Sequence, residues 1–596
     1  MKNLTSKELR TAWKEFYAAR GHVDAGTVSL VSDGATGVLF NVAGMQPLMP
    51  YLLGKEHPSG SKRLYNVQGC IRTNDIDSVG DRSHVTFFEM MGSWSLGDYF
   101  KKERTQWSYE LLTEVLGFTP DKLAATVFEG NENAPRDEET AQYRIASGFR
   151  PENIYYLPED DNWWGLEYGP CGPDSEMFYI NDVEPCGPDC RPGCSCGKYI
   201  ELGNDVFMQY EKLQDGSIVE LAKKNVDTGW GLERILAFLN GTYDVYRTDV
   251  FEKAIAYIEK TSGVSYMSDE ESTKAMRIVA DHVRSAVMLI GDEAKLVPSN
   301  VGAGYILRRL IRRAVRYARA LGLNTANLKE LGMIYINEIY AEAYPLLVEN
   351  TDFIMTEFSK ECERFAGTVE KGMKELGKVL AEMEKTGATV MDGPTSFRLY
   401  DTFGFPIELT VEMAAEKGYT VDVESFNQAF KEHQDKSRSV EKNVLKSGLE
   451  DVTEGTIKHH TATHLLNAAL KVVIGPDTHQ RGSKVSDEKL RFDFNCDHKL
   501  TDEELKSVEN LINSWIGQKI AVVFEEMAKE KAVEIGAEHE FIDKYPDIVK
   551  VYTIGEVSKE ICTGPHVANT ADLGSFKITK EKSSSSGVRR IEAAVQ

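Results

Sequence analysis

No stretch of this 596-residue chain approaches the roughly 20 consecutive apolar residues of a membrane span. The opening Met1-Lys-Asn-Leu-Thr-Ser also lacks the apolar core of a secretory signal. The expectation is a cytoplasmic protein with no membrane partner. Cysteine is scarce, nine residues in all, and in a reducing compartment clusters among them point to metal ahead of disulfides. Positive charge is short as well: a net charge of −24 argues against a general nucleic-acid binder, so a polyanion must be held by local basic patches. There is no internal repeat and no low-complexity tract beyond the short run Ser583 to Ser586. What remains is an ordinary globular chain, long enough for about three or four domains.

Two short stretches stand out against that background. His460-Thr-Ala-Thr-His464 and Cys562-Thr-Gly-Pro-His566 each place two metal-ligand types four residues apart. Together they offer three imidazoles and one thiol, the number and kind of ligands that tetrahedral zinc prefers. A satisfied histidine pair on one helix face is the competing reading of the first stretch. The segment Tyr305 to Tyr317 is basic, with Arg308, Arg309, Arg312, Arg313 and Arg316 beside Leu307, Leu310 and Ile311 at helical spacing. No Asp or Glu occurs between Lys295 and Lys329, so phosphate contact competes with simple solvation of that face.

Texture divides the chain. Residues 1–243 mix short apolar runs with Gly, Asn and Asp turns, as in an α+β domain built on a sheet. Residues 244–440 carry helical spacing over Asp249 to Lys260, Thr273 to Ile290 and Met333 to Leu347. A charged stretch, Lys431 to Thr456, reads as linker, with its core at 441–456. Residues 457–596 then read as a smaller α+β domain: helices over Thr461 to Ile474 and Asp502 to Ile516, a strand over Leu490 to Phe494, and β alternation toward the end. Within the first domain, Asp227-Thr-Gly-Trp-Gly-Leu-Glu-Arg234 is a glycine-punctuated helix entry ending in a guanidinium that can lie on a purine. Cys70-Ile-Arg-Thr-Asn-Asp-Ile-Asp77 and the aromatic run Ser83 to Phe100 could clamp a triphosphate and stack a base. Cys186, Cys190, Cys194 and Cys196, four thiols within eleven residues, are a candidate second metal site, against free or redox-sensitive thiols. His282 is expected to be structural.

These residues resemble the alanyl-tRNA synthetases. The likeness runs from about residue 5 to the C-terminus, through Val38 to Met45, Thr86 to Met90, Gly97 to Phe100, Val206 to Gln209, Asp227 to Arg234, Pro298 to Asn300, Tyr400 to Pro406, His460 to Leu466, Arg491 to Phe494 and Gly587 to Glu592. It implies a class II antiparallel catalytic sheet with helices, a helical domain that recognises the tRNA acceptor stem, and a smaller zinc-containing editing domain. The implied reaction is attachment of alanine to tRNA(Ala) through an alanyl-adenylate, with ATP and Mg2+, followed by hydrolysis of Ser- or Gly-mischarged tRNA. By motif position, Arg72 meets the α-phosphate and Arg234 stacks on adenine. Phe87 and Phe88 supply an opposing surface, and His84 and Glu89 complete the ATP site. Asp227 receives the alanine ammonium, within a wall made by Trp164, Asn204 and Val206. Asn300 and Asp401 read the stem's G·U pair beside the arginine stripe, and a capping role for Asn300 is compatible with this. The resemblance also makes His460, His464, Cys562 and His566 the zinc set of the editing domain, with Gln480 as a polar editing residue.

The chain departs from the family pattern in several places. A linker stands where a glycine-rich β-barrel usually precedes His460, and Cys562-Thr-Gly-Pro-His566 replaces Cys-Gly-Gly-Thr-His. Val301 and Ala303 stand in place of a Glu and an Arg, and Val85 in place of a second histidine after His84. The sequence ends soon after Glu592, without the family's C-terminal extension, so a monomer is expected. A free-standing deacylase would not account for Asp227 to Arg234, and a non-catalytic relative would have lost Arg72 or Arg234.

Overall fold

The computed structural model describes residues 2–32, 37–444, 453–538, 547–585 and 587–595. It divides into two compact units, Met1–Val421 and Asp422–Gln596.

The first unit is built on a nine-stranded sheet. Its strands are β1 (Val23–Asp24), β2 (Arg63–Ile71), β3 (Phe87–Leu96), β4 (Leu123–Phe128), β5 (Ile154–Leu157), β6 (Trp163–Gly165), β7 (Gly169–Ile180), β8 (Tyr199–Lys212) and β9 (Ile218–Gly231). The order is β1-β2-β3-β9-β8-β7-β4-β5, with β6 paired to β7. The middle strands are antiparallel and only β1–β2 and β4–β5 run parallel. The α+β class expected from the sequence is the class observed.

Alternation on β3 sorts its residues between two faces. Met91 pairs with Trp230 and faces a core shared with Trp13, Leu9 and Leu236. Trp13 lies on the helix Ser6–Ala18, which starts with a capping box between Thr5 and Glu8. The even residues Phe88, Met90, Gly92 and Trp94 face the other way, toward Asp227, Gly229 and Gly231 of β9.

Residues after β9 are helical, with Glu252–Ser262, Glu270–Gly291, Gly302–Ala320 and Thr351–Thr386 as the main elements. The first two cover the segments that periodicity picks out. Met333 to Leu347 is interrupted: the helix Thr325–Ile334 widens into a π turn over Tyr335–Ile339, and Pro345 starts a separate short helix. Glu270–Gly291 is nearly all buried and is fixed to the start of β3, since Asp281 Oδ1 accepts from Thr86 N at 2.8 Å and Ser285 Oγ from Phe87 N at 3.1 Å. Phe87 and Ile71 therefore share one apolar core with the helical region. A two-stranded parallel pair, β10 (Val390–Met391) and β11 (Thr420–Val421), ends this unit.

The second unit opens with the helix Val423–Val444, so part of the stretch that reads as linker from Lys431 is helical. Residues 445–452, the centre of the expected linker 441–456, lie outside the described residues, as does Ser586. Beyond them, β12 (Gln480–Val485), β13 (Leu490–Asn495), β17 (Phe576–Ser585) and β18 (Val588–Val595) form a sheet in the order β12-β13-β18-β17. The helices Glu454–Val473 and Asp502–Gly517 pack on it around Leu466, Phe492, Ile512 and Ile591. A second sheet joins β14 (Val522–Ala528), β15 (Ile548–Ile554) and β16 (Ser558–Ile561).

Candidate functional site

The even face of β3 and its neighbours on β9 and β8 make a glycine-rich face over which the Trp94 and Met90 side chains lie. Gly92 pairs with Gly229, and Met90 with Gly231. A Cβ on Gly92 would lie 2.1 Å from the Trp94 ring, so only glycine lets that indole lie along the strand. The indole Nε1 then donates to Asp227 Oδ1 at 2.6 Å. Burial pushes Asp227 up to about 7, against the Trp94 hydrogen bond that pulls it down. Across the ladder Val206 pairs with Asp227 and Asn204 with Gly229. Asn204 donates from Nδ2 to Asp174 Oδ2 at 2.7 Å, while its Oδ1 is buried without a partner. Trp164, Trp94 and Val206 belong to one apolar cluster. The four residues expected at an amino-acid pocket thus lie together, where Asn204 Oδ1 has no donor and Asp227 accepts from Trp94.

The outer part of this face carries charge. The Arg72 guanidinium lies 4.8 Å over the Phe88 ring and donates from Nε to Val42 O at 3.3 Å. Arg234 lies in the first turn of the helix Leu232–Leu239 and pairs with Glu201 at 2.5 Å. Burial and the neighbouring Glu201 carboxylate hold Glu176 up to about 9, and burial holds Asp174 up to about 6. Sequence reasoning passed over Trp94, Asp174, Glu176 and Glu201. Period-two spacing on β7 puts Asp174 and Glu176 on one face and was the available signal. His84 pairs through Nδ1 with Asp81 at 2.6 Å.

Two expected ATP contacts are corrected by the fold. Phe87 is fully buried on the opposite face, against Tyr340, Tyr344 and the Arg284 guanidinium. Glu89 is buried there too, bound by Arg10 Nε at 2.9 Å and by the Tyr344 hydroxyl at 3.2 Å. Only Phe88 of the three faces the pocket.

The arginine helix is likewise less available than its sequence suggests. Arg308 and Arg312 both pair with Glu361, at 3.2 and 2.7 Å, and Arg309 pairs with Asp77 at 2.6 Å. Arg313 is buried, bonded to Glu412 at 2.7 Å, to Ile76 O at 2.6 Å and to His282 Nε2 at 2.9 Å. Arg313 is therefore a core residue, not a phosphate contact. Arg316 is closed in by Glu412 and Glu416. These carboxylates are remote in sequence, which is why a local count of acids missed them. His282, buried between Asp281 and Arg313, is structural as expected. Asn300 does not cap the helix, whose cap is Val301. Its Oδ1 accepts from Arg308, and both Asn300 and Asp401 are exposed.

In the second unit one nitrogen or sulfur from each of His460, His464, Cys562 and His566 lies within 4.8 Å of the others. His460 and His464 are one turn apart on the helix Glu454–Val473, and Cys562 and His566 follow β16. Each ring is held by its Nδ1: His460 faces Pro565 O at 3.2 Å, His566 faces Thr461 Oγ1 at 3.1 Å, and His464 faces Glu560 Oε2 at 3.2 Å. That leaves Nε2 of each for the common centre. His460 Nε2 is 3.4 Å from Cys562 Sγ, and His566 Nε2 is buried with no partner. Burial pulls His460 down to about 3 and His464 to about 4, so the rings are neutral and able to ligate, while burial pushes Cys562 up to about 11. The donor set, the orphaned nitrogen and the outer hydrogen bonds fit a tetrahedral soft or borderline cation. Gln480, at the start of β12, donates to Ser483 Oγ at 3.3 Å.

The chain matches known proteins over the regions that hold both sites. A family described as class II (A) tRNA synthetases matches residues 8–486, and the threonyl and alanyl tRNA synthetase second additional domain matches residues 549–592. The chain is similar to the alanine–tRNA ligase of Treponema denticola, 50% identical over the whole of both chains. It is also similar to that of Borreliella burgdorferi, 47% identical over 99% of each. That of Thermoanaerobacter pseudethanolicus is 34% identical over all of this chain and 79% of its own. A solved apo histidyl-tRNA synthetase of S. aureus covers 40% of this chain and 69% of its own at 12% identity with a TM-score of 0.26, which adds nothing to the family match. With whole-length identity of this size, and a buried carboxylate and a histidine–cysteine cluster in the regions matched, the chain belongs to the class II tRNA synthetases, and within them to the alanine–tRNA ligases.

Proposed function

We propose that this chain attaches alanine to tRNA(Ala) through an alanyl-adenylate, and that its second unit hydrolyses Ser- or Gly-mischarged tRNA(Ala). The observation that carries the first part is the pair of acceptors at Asp227 and Asn204. An α-ammonium would give Asn204 Oδ1 the donor it lacks and add to the Trp94 bond that Asp227 already accepts, beside the apolar wall of Val206, Trp94 and Trp164. Binding of the cation returns Asp227 to its ionised form. The alanine carboxylate oxygen attacks the α-phosphorus of ATP and pyrophosphate leaves. Arg72 neutralises charge developing on the α-phosphate, while Arg234 and Phe88 sandwich the adenine. For Arg234 to do so, its bond to Glu201 must open or turn aside. His84 is placed at the same nucleotide. Magnesium brought with ATP would offset phosphate charge, and Glu201 and Glu176 beside Arg234 make the site receptive to cations. In the second step a terminal ribose hydroxyl of the tRNA attacks the alanyl carbonyl carbon and AMP leaves.

The proposed division of labour is catalysis by 1–243, acceptor-stem recognition by 244–440, a linker at 441–456 and editing by 457–596. Asn300 and Asp401 read the stem's G·U pair, and Arg308, Arg309 and Arg312 reach phosphate by exchanging their carboxylate partners. A pocket sized for a methyl group rejects glycine or serine by only about 1–3 kcal/mol, which is why a second, hydrolytic site is useful. His460, His464, Cys562 and His566 would hold zinc there. With four protein ligands a zinc ion there would have a closed shell and would serve to hold the shape of the tRNA-end pocket, which Gln480 would line. The enzyme is proposed to act as a monomer in the cytoplasm.

The test is ATP–pyrophosphate exchange with each amino acid, then charging of tRNA(Ala) with and without the G·U pair. Alanine-dependent exchange and G·U-dependent charging are expected. Exchange that is indifferent to alanine would overturn the reading.

A further inference from the structure

The connection between β7 and β8, residues 181–198, carries four cysteines that neither site above uses. The sulfurs of Cys186, Cys190 and Cys194 lie within 4.8 Å of one another, and that of Cys196 is 3.6 Å from Cys190. Cys186 has all three other thiols as side-chain neighbours. Four sulfurs bound to one zinc at about 2.3 Å stand about 3.8 Å apart, whereas a disulfide requires about 2.05 Å. The Cys190–Cys196 separation of 3.6 Å is close to the first arrangement and far from the second.

The backbone favours the same reading. Arg191 N–H donates to Cys194 Sγ at 3.5 Å, and the N–H groups of Lys198 and Cys186 approach Cys196. Such donors orient the sulfur and offset thiolate charge before an ion arrives. Two tight turns fold the thiols inward, with Cys190 N bonded to Gly187 O at 3.2 Å and Cys194 N to Arg191 O at 3.1 Å. Gly193 and Gly197 hold φ of 91° and 81°, a conformation that strains any residue with a Cβ. The loop closes where Asn181 N donates to Lys198 O at 2.8 Å, next to the pair Ile180–Tyr199.

We propose that Cys186, Cys190, Cys194 and Cys196 bind one thiophilic divalent ion of the zinc type, as a clasp on the β7–β8 hairpin. The four thiols lose four protons and the ion gains four sulfur bonds, giving a site of net charge −2 beside Arg191 and Lys198 with no change in oxidation state. The hairpin so closed carries Asp174, Glu176, Glu201, Asn204 and Val206, so the clasp fixes the wall of the alanine pocket from outside it.

The test uses the full chain, purified without a metal-affinity step. Elemental analysis is expected to give two zinc ions per wild-type chain, and one each in Cys562→Ala/His566→Ala and Cys190→Ser/Cys194→Ser. Loaded with cobalt, Cys562→Ala/His566→Ala should show the thiolate-to-metal charge-transfer bands of a tetrahedral four-sulfur site. If the cysteine variant fails to fold, X-ray absorption on wild-type zinc decides the matter, with a sulfur contribution well above one per ion expected. The proposal is overturned by a metal-free Cys562→Ala/His566→Ala, by an absorption spectrum of one sulfur per zinc, or by a Cys190–Cys196 disulfide in the unreduced protein. Alanine activation is measured separately, so loss of the clasp and failure of the ligase reading are distinguishable.

Discussion

The pocket at Asp227 and the cluster at His460 both bury polar groups that the protein leaves unpartnered, yet they are held in opposite ways. The first lies within one sheet: Trp94, Asp227, Asn204 and Val206 sit on three neighbouring strands, and backbone ladders keep them in register with or without a ligand. The second gathers a helix and a loop after β16, with one nitrogen or sulfur of each of the four residues within 4.8 Å of the others and His566 Nε2 left without a partner. Under the proposed function, the first site takes a cation that comes and goes with each turnover. The other has the character of a site whose shape depends on an ion that stays.

The strongest way to break this contrast is Asp227→Asn. Leaving an ammonium opposite a neutral amide costs about 2–5 kcal/mol, and alanine-dependent pyrophosphate exchange should fall by roughly 30- to several-thousand-fold. Bound zinc and thermal stability should be unchanged. Cys562→Ala should do the reverse, losing metal from the second unit and most Ser-tRNA deacylation while exchange stays within about twofold. Exchange lost with the metal would show that the two sites are not separable. Arg313→Ala tests the buried arginine: leaving Ile76 O without its donor and Glu412 with Arg316 and Tyr317 alone should cost about 1–3 kcal/mol in denaturant unfolding. Arg309→Ala should leave stability intact and raise KM for tRNA.

Trp94→Phe sharpens the comparison from within the first site. It removes a hydrogen bond to a carboxylate worth about 1.5–3 kcal/mol, so KM for alanine should rise about 10- to 100-fold with a smaller change in kcat. The last effect is that of pH. Asp227, raised to about 7 by burial, must be ionised to receive the ammonium. In the free enzyme kcat/KM for alanine should therefore fall as pH drops below about 7. The same limb should move to higher pH in Trp94→Phe, because the Trp94 bond is what lowers that pKa.

Much of this was legible because the informative residues are close in sequence or carry unusual chemistry. Asp227 to Arg234 announces a strand-to-helix ligand site, and two ligand pairs four residues apart announce the cluster. What failed was whatever depended on which way a side chain points. Phe87 and Phe88 look equivalent in sequence, yet one enters the core with Tyr340 and the other meets Arg72. Arg308 to Arg316 look unpaired until Glu361, Glu412 and Glu416 arrive from elements 50 to 100 residues away. Asn204 could be placed at the pocket by motif, but its orphaned oxygen follows only from Asp174 occupying its nitrogen.

β3 supplies Trp94, Met90 and Phe88 to the pocket and Phe87, Glu89 and Met91 to the core behind it, at alternate positions along ten residues. Inserting or deleting one residue there would turn the strand over. Glu89 would leave Arg10 for the amino-acid pocket, the indole would turn away from Asp227, and the helix Glu270–Gly291 would lose its hold at Phe87. This strand can accept substitutions but no change in length, so new substrate preferences can be selected here only by exchanging residues in place.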